Sequence, residues 1–296
     1  MSTELYFILP NADLVAKARD YFVSRTNYTV KGDQAEYNNE DTGCGFTIDF
    51  DETEPEIPAA DDNLSPAIVF NINYARPRPF LAEAVKEISD YNAAFPGKFF
   101  NEVTGEVENF NPVDFARSWQ VVNDSFVRTL AEEDQTIAYA PAAQIAAVWA
   151  WNSKRASIQE AEGSNVFVPK LLFHIGPAHS TPTPIIVWPY PDPVLFPRLA
   201  VSAMVVTPAK EKRSFLSRLL GSKQQDEADF RLLKFDELSK AAQFVEVQVE
   251  GIACYRYRGS VTPAIDALLA TVKPLAQAAA ALVHPSMVLE QEILQD

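Results

Sequence analysis

The stretch Cys44–Phe50, CGFTIDF, alternates Phe46, Ile48 and Phe50 with Thr47 and Asp49. Successive side chains on a strand point to opposite faces, so this period predicts a strand with one buried face. Upstream, Asp41-Thr42-Gly43 reads as a turn, and Glu36–Asn39 and Tyr28–Val30 as strand edges. Further back, Glu4–Pro10 reads as a strand and Asp13–Ser24 as a helix, with Leu14, Ala18, Tyr21 and Phe22 on one face. Downstream, residues 51–66 form a proline-rich acidic loop, and Ala67–Tyr74 reads as a strong strand. Arg76-Pro77-Arg78-Pro79 ends that strand and opens a helix to about Phe95. Asn111 is placed to cap another, Pro112–Leu130, which carries Phe115, Trp119, Val122 and Phe126. Strands and helices mixed in this order predict an α+β domain.

Pro141–Glu162 is alanine-rich and helical, and Gly163 closes it. The second half is richer in strands: Val166–Ile175, Pro184–Tyr190, Leu199–Val206, Phe230–Phe235 and Phe244–Glu250. The last alternates Val245, Val247 and Val249 with Glu246 and Gln248, so one face is wet. Ile252–Arg258 follows across Gly251, as a tight hairpin or bulge. Thr262 is placed to cap a helix that opens on Pro263 and breaks at Pro274. The expectation is two α+β domains, each a mixed or antiparallel sheet packed with helices. They span 1–138 and 164–296 and are joined by a helix at 139–163.

Charge is unevenly distributed. The 296 residues carry 40 Asp and Glu against 25 Lys and Arg, a formal charge of −15. Residues 1–150 hold 25 of the acidic and 10 of the basic residues, and residues 151–296 hold 15 of each. An acidic chain repels nucleic acid and anionic membrane, which argues against both as partners. The glycine-rich phosphate-binding patterns are absent. The two cysteines, Cys44 and Cys254, stand far apart, which fits a reducing compartment. The opening residues lack a basic stretch followed by an apolar one, and no apolar run is long enough to span a bilayer. The expectation is a soluble, cytoplasmic protein.

Catalytic signatures are sparse. His174 and His179 lie five apart in a Gly-Pro loop, not at the spacing of a helical zinc pair. None of the 12 lysines has a carboxylate two positions earlier, the arrangement that restriction-endonuclease-like enzymes use. No metal or cofactor is expected. Carboxylates, in contrast, cluster: Asp49, Asp51, Glu52, Glu54, Glu56, Asp61 and Asp62 put seven into residues 49–62. Like charges repel, so such a cluster costs stability. Trp188-Pro189-Tyr190-Pro191-Asp192-Pro193 reads as a strand running into a stiff loop. A stiff aromatic loop loses little entropy on binding, which makes Trp188 and Tyr190 second candidate contacts beside a plain structural corner.

Two stretches resemble patterns of a known group. Tyr37–Phe50 resembles Y-x-N-x-x-TG-x-x-F-x-F/I-x-F. Val168-Pro169-Lys170, Val187-Trp188-Pro189, Asp192 and Phe196-Pro197 resemble VP[RK]…vWPd…lP. Together they are similar to cytoplasmic immunity proteins encoded beside polymorphic toxins, including type VI secretion effectors with a restriction-endonuclease-like nuclease domain. The resemblance implies a toxin inhibitor that binds one cognate nuclease toxin and does no chemistry. Nuclease toxins are basic around their phosphate-binding clefts, so an acidic face complements them. Two other classes share the composition: a metal-dependent hydrolase built on clustered carboxylates, and an adaptor or chaperone for a secreted effector.

Overall fold

Residues 44–50 form the strand that their alternation predicts, with Cys44, Phe46, Ile48 and Phe50 buried and Gly45, Thr47 and Asp49 half-exposed. The structure is a computed structural model. It describes the chain except residues 10–12, 51–64, 102–105, 134–136, 177–180, 208–228, 260–261, 275–280 and 296. The first elements are β1 (Ser2–Leu9), α1 (Asp13–Val23), β2 (Tyr28–Lys31), β3 (Gln34–Asn39), β4 (Cys44–Phe50) and β5 (Ser65–Asn73). Then come α2 (Arg78–Ala94), β6 (Lys98–Asn101), β7 (Glu106–Asn109), α3 (Pro112–Glu133), β8 (Ala138–Ala140) and α4 (Ala142–Glu162). The second half contains β9 (Leu171–Ile175), β10 (Thr183–Pro189), β11 (Val194–Pro197), β12 (Ser202–Thr207) and β13 (Asp229–Lys234). It continues with α5 (Phe235–Ala241), β14 (Val245–Val249), β15 (Ile252–Tyr257), α6 (Pro263–Thr271), β16 (Ala281–Val283) and β17 (Val288–Glu290). The class is α+β.

The chain divides into two units: unit 1, Met1–Ala146 with Pro285–Asp296, and unit 2, Ala147–His284. Unit 1 is built on a seven-stranded sheet in the order β2-β3-β4-β5-β1-β6-β7, antiparallel throughout. Aromatic rings fasten α1 and α2 to its inner face. Tyr91 of α2 lies 5.2 Å from Phe7, 5.3 Å from Phe70 and 5.4 Å from Phe22 of α1, measured between ring centroids. Such pairs add about 0.5–1.5 kcal/mol each beyond their area burial. Asn111 caps α3 as its sequence predicts, its Oδ1 accepting from Val113 N at 3.0 Å. Trp119 of α3 is buried as expected and packs 5.6 Å from Tyr74. Asn123, one turn on, bonds both the N–H and the C=O of Arg76.

The C-terminal residues depart from the expected division, which placed 285–296 in a second domain. They complete unit 1 instead. Strand β17 pairs in parallel with β8, and Leu289 and Ile293 are buried against Val127 of α3. Two carboxylates in this segment cap helices. Helix α2 begins after Pro77 and has no cap from its own side chains. Glu290 Oε1 accepts from its first amide, Arg78 N, at 2.7 Å. Helix α4 begins after Pro141, and both Glu292 oxygens accept from Ala142 N, at 3.2 and 3.1 Å. Helix-start amides have no partner within the helix, and the helix dipole favours an anion there. Sequence inspection looks for caps next to the helix and finds proline, so it misses these two.

Unit 2 holds a five-stranded mixed sheet, β13-β12-β10-β9-β16, with β10 and β12 parallel. A three-stranded antiparallel sheet, β11-β15-β14, accompanies it. Helix α4 meets the start of β9 through Asn152, which exchanges hydrogen bonds with the Leu171 N–H and C=O at 2.8 and 2.9 Å. The β14–β15 hairpin turns on two residues, Glu250 and Gly251, both at positive φ. That is the type I′ geometry whose twist suits a hairpin. Helix α6 ends at Thr271, short of Pro274. The expected Thr262 cap is not made: Thr262 stands at the cap position without a side-chain bond, and its N–H instead donates to Tyr190 Oη. Helix α5 was not anticipated, because its seven residues follow β13 with no turn between them.

Burial raises the pKa of Glu290, and the Arg78 amide opposes it. The folded state therefore holds this proton more tightly than the unfolded chain. The group's contribution to stability is fully present below the unfolded value of about 4.3 and is lost as pH rises through the raised folded value. Glu290→Gln keeps the accepting oxygen and removes the buried charge. It is expected to flatten this pH dependence and to be at least as stable as the native chain at neutral pH. Glu290→Ala leaves the Arg78 amide without its cap and is expected to cost about 1–2 kcal/mol. Urea denaturation from pH 4 to 8 checks both.

Candidate functional site

Of the nine anticipated contact residues, Asp51, Glu52, Glu54, Glu56, Asp61 and Asp62 lie outside the described residues. Asp49 is described. It lies on β4, on the sheet face opposite Phe46 and Ile48, and its carboxylate accepts from Gln34 Nε2 at 2.7 Å and Asn71 Nδ2 at 2.6 Å. Pairing places Glu36 opposite Thr47, Gln34 opposite Asp49, and Asn71 opposite both Thr47 and Glu4. These side chains share one outward face, which sequence alternation shows only at Thr47 and Asp49. Glu36 is exposed and Glu4 half-exposed, and Tyr6 Oη donates to the Glu4 carboxylate. No Lys or Arg occurs in β1, β3, β4 or β5. Lys31 and Lys98 stand farther out, on β2 and β6.

Trp188 and Tyr190 are corrected from contact residues to core. Trp188 is 0% exposed and Tyr190 6%. Trp188 Nε1 donates to Asp192 O at 2.9 Å, and its ring packs edge-on against Tyr190 and Tyr257. Tyr190 Oη accepts from Thr262 N and donates to Asp266 Oδ1, both at 3.2 Å. The loop with alternating prolines forms a corner inside unit 2, the structural alternative to the contact reading.

The first motif resolves into a polar staple. Tyr37 Oη, Asn39 Nδ2 and Thr42 Oγ1 all donate to one oxygen of Glu83 on α2, at 2.8, 2.8 and 3.2 Å. Gly43 sits at φ 75°, where a side chain would be strained, so the turn needs glycine there. One helical turn on, Glu87 accepts from Arg25 at 2.9 Å and Tyr28 Oη at 3.0 Å. Burial, and then the carboxylates they bond, push the Tyr28 and Tyr37 hydroxyls well above the ordinary tyrosine range. The Cys44 thiol lies 3.8 Å from Phe80 O, and burial followed by Glu83 and Glu87 raises its pKa. A thiol held protonated in this way is a packing group, not a nucleophile. The Glu83–Glu87 spacing of four, on the helix face that meets the tyrosines, is the signal that could have located this cluster.

Other chemistry is limited among the described residues. No three His, Cys, Asp or Glu side chains are grouped so as to hold a metal ion, and no helix is long and apolar enough to cross a membrane. Cys44 and Cys254 are both free and buried, and burial raises the Cys254 thiol to about 11. A broad concavity of about 850 Å³ opens in unit 2 beside Gln159, Glu160, Asn165, Phe167 and Asp192. Gln159 is committed to the chain itself, bonding Gly163 O, Val166 O and Val168 N.

Glu83→Ala leaves three donors without their acceptor and is expected to cost about 2–4 kcal/mol of stability. Glu83→Gln retains an accepting oxygen and is expected to lose less than half of that. Urea denaturation of the two variants measures the difference.

No family model, no curated protein and no solved structure matches this chain.

Proposed function

We propose that this chain is an immunity-type inhibitor whose unit 1 binds a basic cognate protein, a secreted nuclease toxin, and neutralises it by contact alone. The observation that carries this reading is the separation of charge between the two units. Unit 1 holds 28 Asp and Glu against 10 Lys and Arg, and unit 2 holds 12 against 15. The imbalance is steeper than a division at mid-chain gives, because the C-terminal segment adds its acidic residues to unit 1. The outward face with Glu4, Glu36 and Asp49 supports the same reading, since its four strands contain no Lys or Arg.

In this reading the acidic unit attracts the positively charged cleft of a nuclease and raises the encounter rate. Asp49 is the described member of the contact set, and Asp51, Glu52, Glu54, Glu56, Asp61 and Asp62 follow it in sequence. The inhibitor uses no metal or cofactor and acts in the cytoplasm, where it meets incoming or newly made toxin.

The reading expects a nuclease-toxin gene adjacent to this one, and the test uses the domain which that gene encodes. Co-expression is expected to restore growth to cells producing that domain; failure to restore growth overturns the inhibitor reading, and binding without rescue points to a carrier. Reversing Asp51, Glu52, Glu54 and Glu56 to Lys is expected to slow association at low salt by about tenfold or more and to flatten its salt dependence. Stopped-flow association at several ionic strengths reads both. An unchanged rate and salt slope would remove the acidic-face mechanism.

A further inference from the structure

We infer that strand β14 of unit 2 pairs with β14 of a second copy of this chain, joining two three-stranded sheets into one six-stranded sheet across a two-fold axis. The inference is independent of any toxin. Among the described residues β14 pairs only with β15, so its other side is an open edge. An open edge presents unpaired N–H and C=O groups and is a template for another strand. The other strands at sheet edges in unit 2 carry protecting features. Strand β13 bears Arg231 and Lys234, β11 follows Pro193 and ends on Pro197, and β16 has three residues. Strand β14 reads Val-Glu-Val-Gln-Val, without proline or lysine, and Val245 is 41% exposed.

The turn sets which backbone groups face outward. In a hairpin with a two-residue type I′ turn, the closing pair exchanges hydrogen bonds, and the bonding sites then alternate along the ladder. Here Val249 and Ile252 close the hairpin, and Val247 faces Cys254 two positions on. The N–H and C=O groups of Glu246 and Gln248 therefore point to the open edge.

An antiparallel partner must place these two residues opposite residues that also point outward. Centring the pair on Glu246 puts two carboxylates face to face. Centring it on Gln248 puts Glu246 opposite Glu250. Centring it on Val247 puts Glu246 opposite the partner's Gln248, twice by symmetry, with Val245 opposite Val249. Only this register joins both outward residues with no carboxylate facing another, and each amide can donate to the carboxylate across from it. The surface is self-complementary, as a two-fold interface requires. Arg198, 5.2 Å from the Tyr255 ring and beside Glu246 and Gln248, adds a cation on that face.

Sedimentation equilibrium of the full chain is the test. The mass is expected to double as concentration rises, while hydrogen exchange slows at the Glu246 and Gln248 amides. Gln248→Glu sets carboxylates opposite each other at both crossings and is expected to weaken the dimer about tenfold. Gln248→Lys sets opposite charges there and is expected to strengthen it by a similar factor. Gln248 is exposed, so neither change disturbs the fold, and circular dichroism verifies that. A chain that stays monomeric up to 0.5 mM overturns the inference. So does a dimer indifferent to both substitutions, or a hetero-partner that occupies the edge while the chain itself remains monomeric.

Discussion

Two helices in unit 1 start beside proline, and their first amides need an acceptor that the local sequence does not provide. That constraint shapes the chain's end. Glu290 and Glu292 stand two apart, so a strand conformation at Glu290 followed by a turn of 3₁₀ helix directs one carboxylate to α2 and the other to α4. On either side of them, Leu289 and Ile293 bury their side chains against Val127 of α3. A short segment of chain thus touches three helices and one strand of unit 1. Glu290 meets an amide 212 positions away, which ties this segment to unit 1.

The two motifs do similar work at smaller range. In Tyr37–Phe50 the polar positions converge on Glu83 and the glycine takes the one conformation that a side chain would strain. In the second motif, Trp151 Nε1 bonds Pro169 O, and Trp188 Nε1 bonds Asp192 O. These donors and acceptors are committed inside the protein. A pattern built from them is a signature of how each unit is held together internally, so a resemblance carried by it speaks first to fold and only then to partner.

The sequence was legible where the signal is local. Alternation located β4 and β14, helical spacing located α2 and α3, and Asn111 announced its own helix. What remained hidden depends on distance or on the other side of a contact. Glu290 and Glu292 look like ordinary surface carboxylates because the amides that need them lie far away in the chain. Trp188 and Tyr190 look like exposed anchors because prolines flank them, yet burial is decided by Tyr257 and α6, which no spacing rule reaches. Asp49 was identifiable as a carboxylate on a polar face. Its neighbours Glu4 and Glu36 were not, since register alone places them there.

The structure also divides the acidity of unit 1 into two kinds. Glu83, Glu87, Glu290 and Glu292 bind chain donors where helices meet strands or begin, so they serve the fold. Arg25 bridges Glu87 and Asp90, which lowers the field they project. Glu4, Glu36 and Asp49 differ, because the described bonds to Glu4 and Asp49 come from neutral donors: Tyr6, Gln34 and Asn71. A neutral donor orients a carboxylate without cancelling its charge. These residues therefore add to the long-range potential that steers a cation, whereas those on α2 add mainly to cohesion. A net charge can thus be high partly for structural reasons and still be felt outside the molecule, where carboxylates such as Glu36 and Asp49 keep only neutral donors or none among the described bonds.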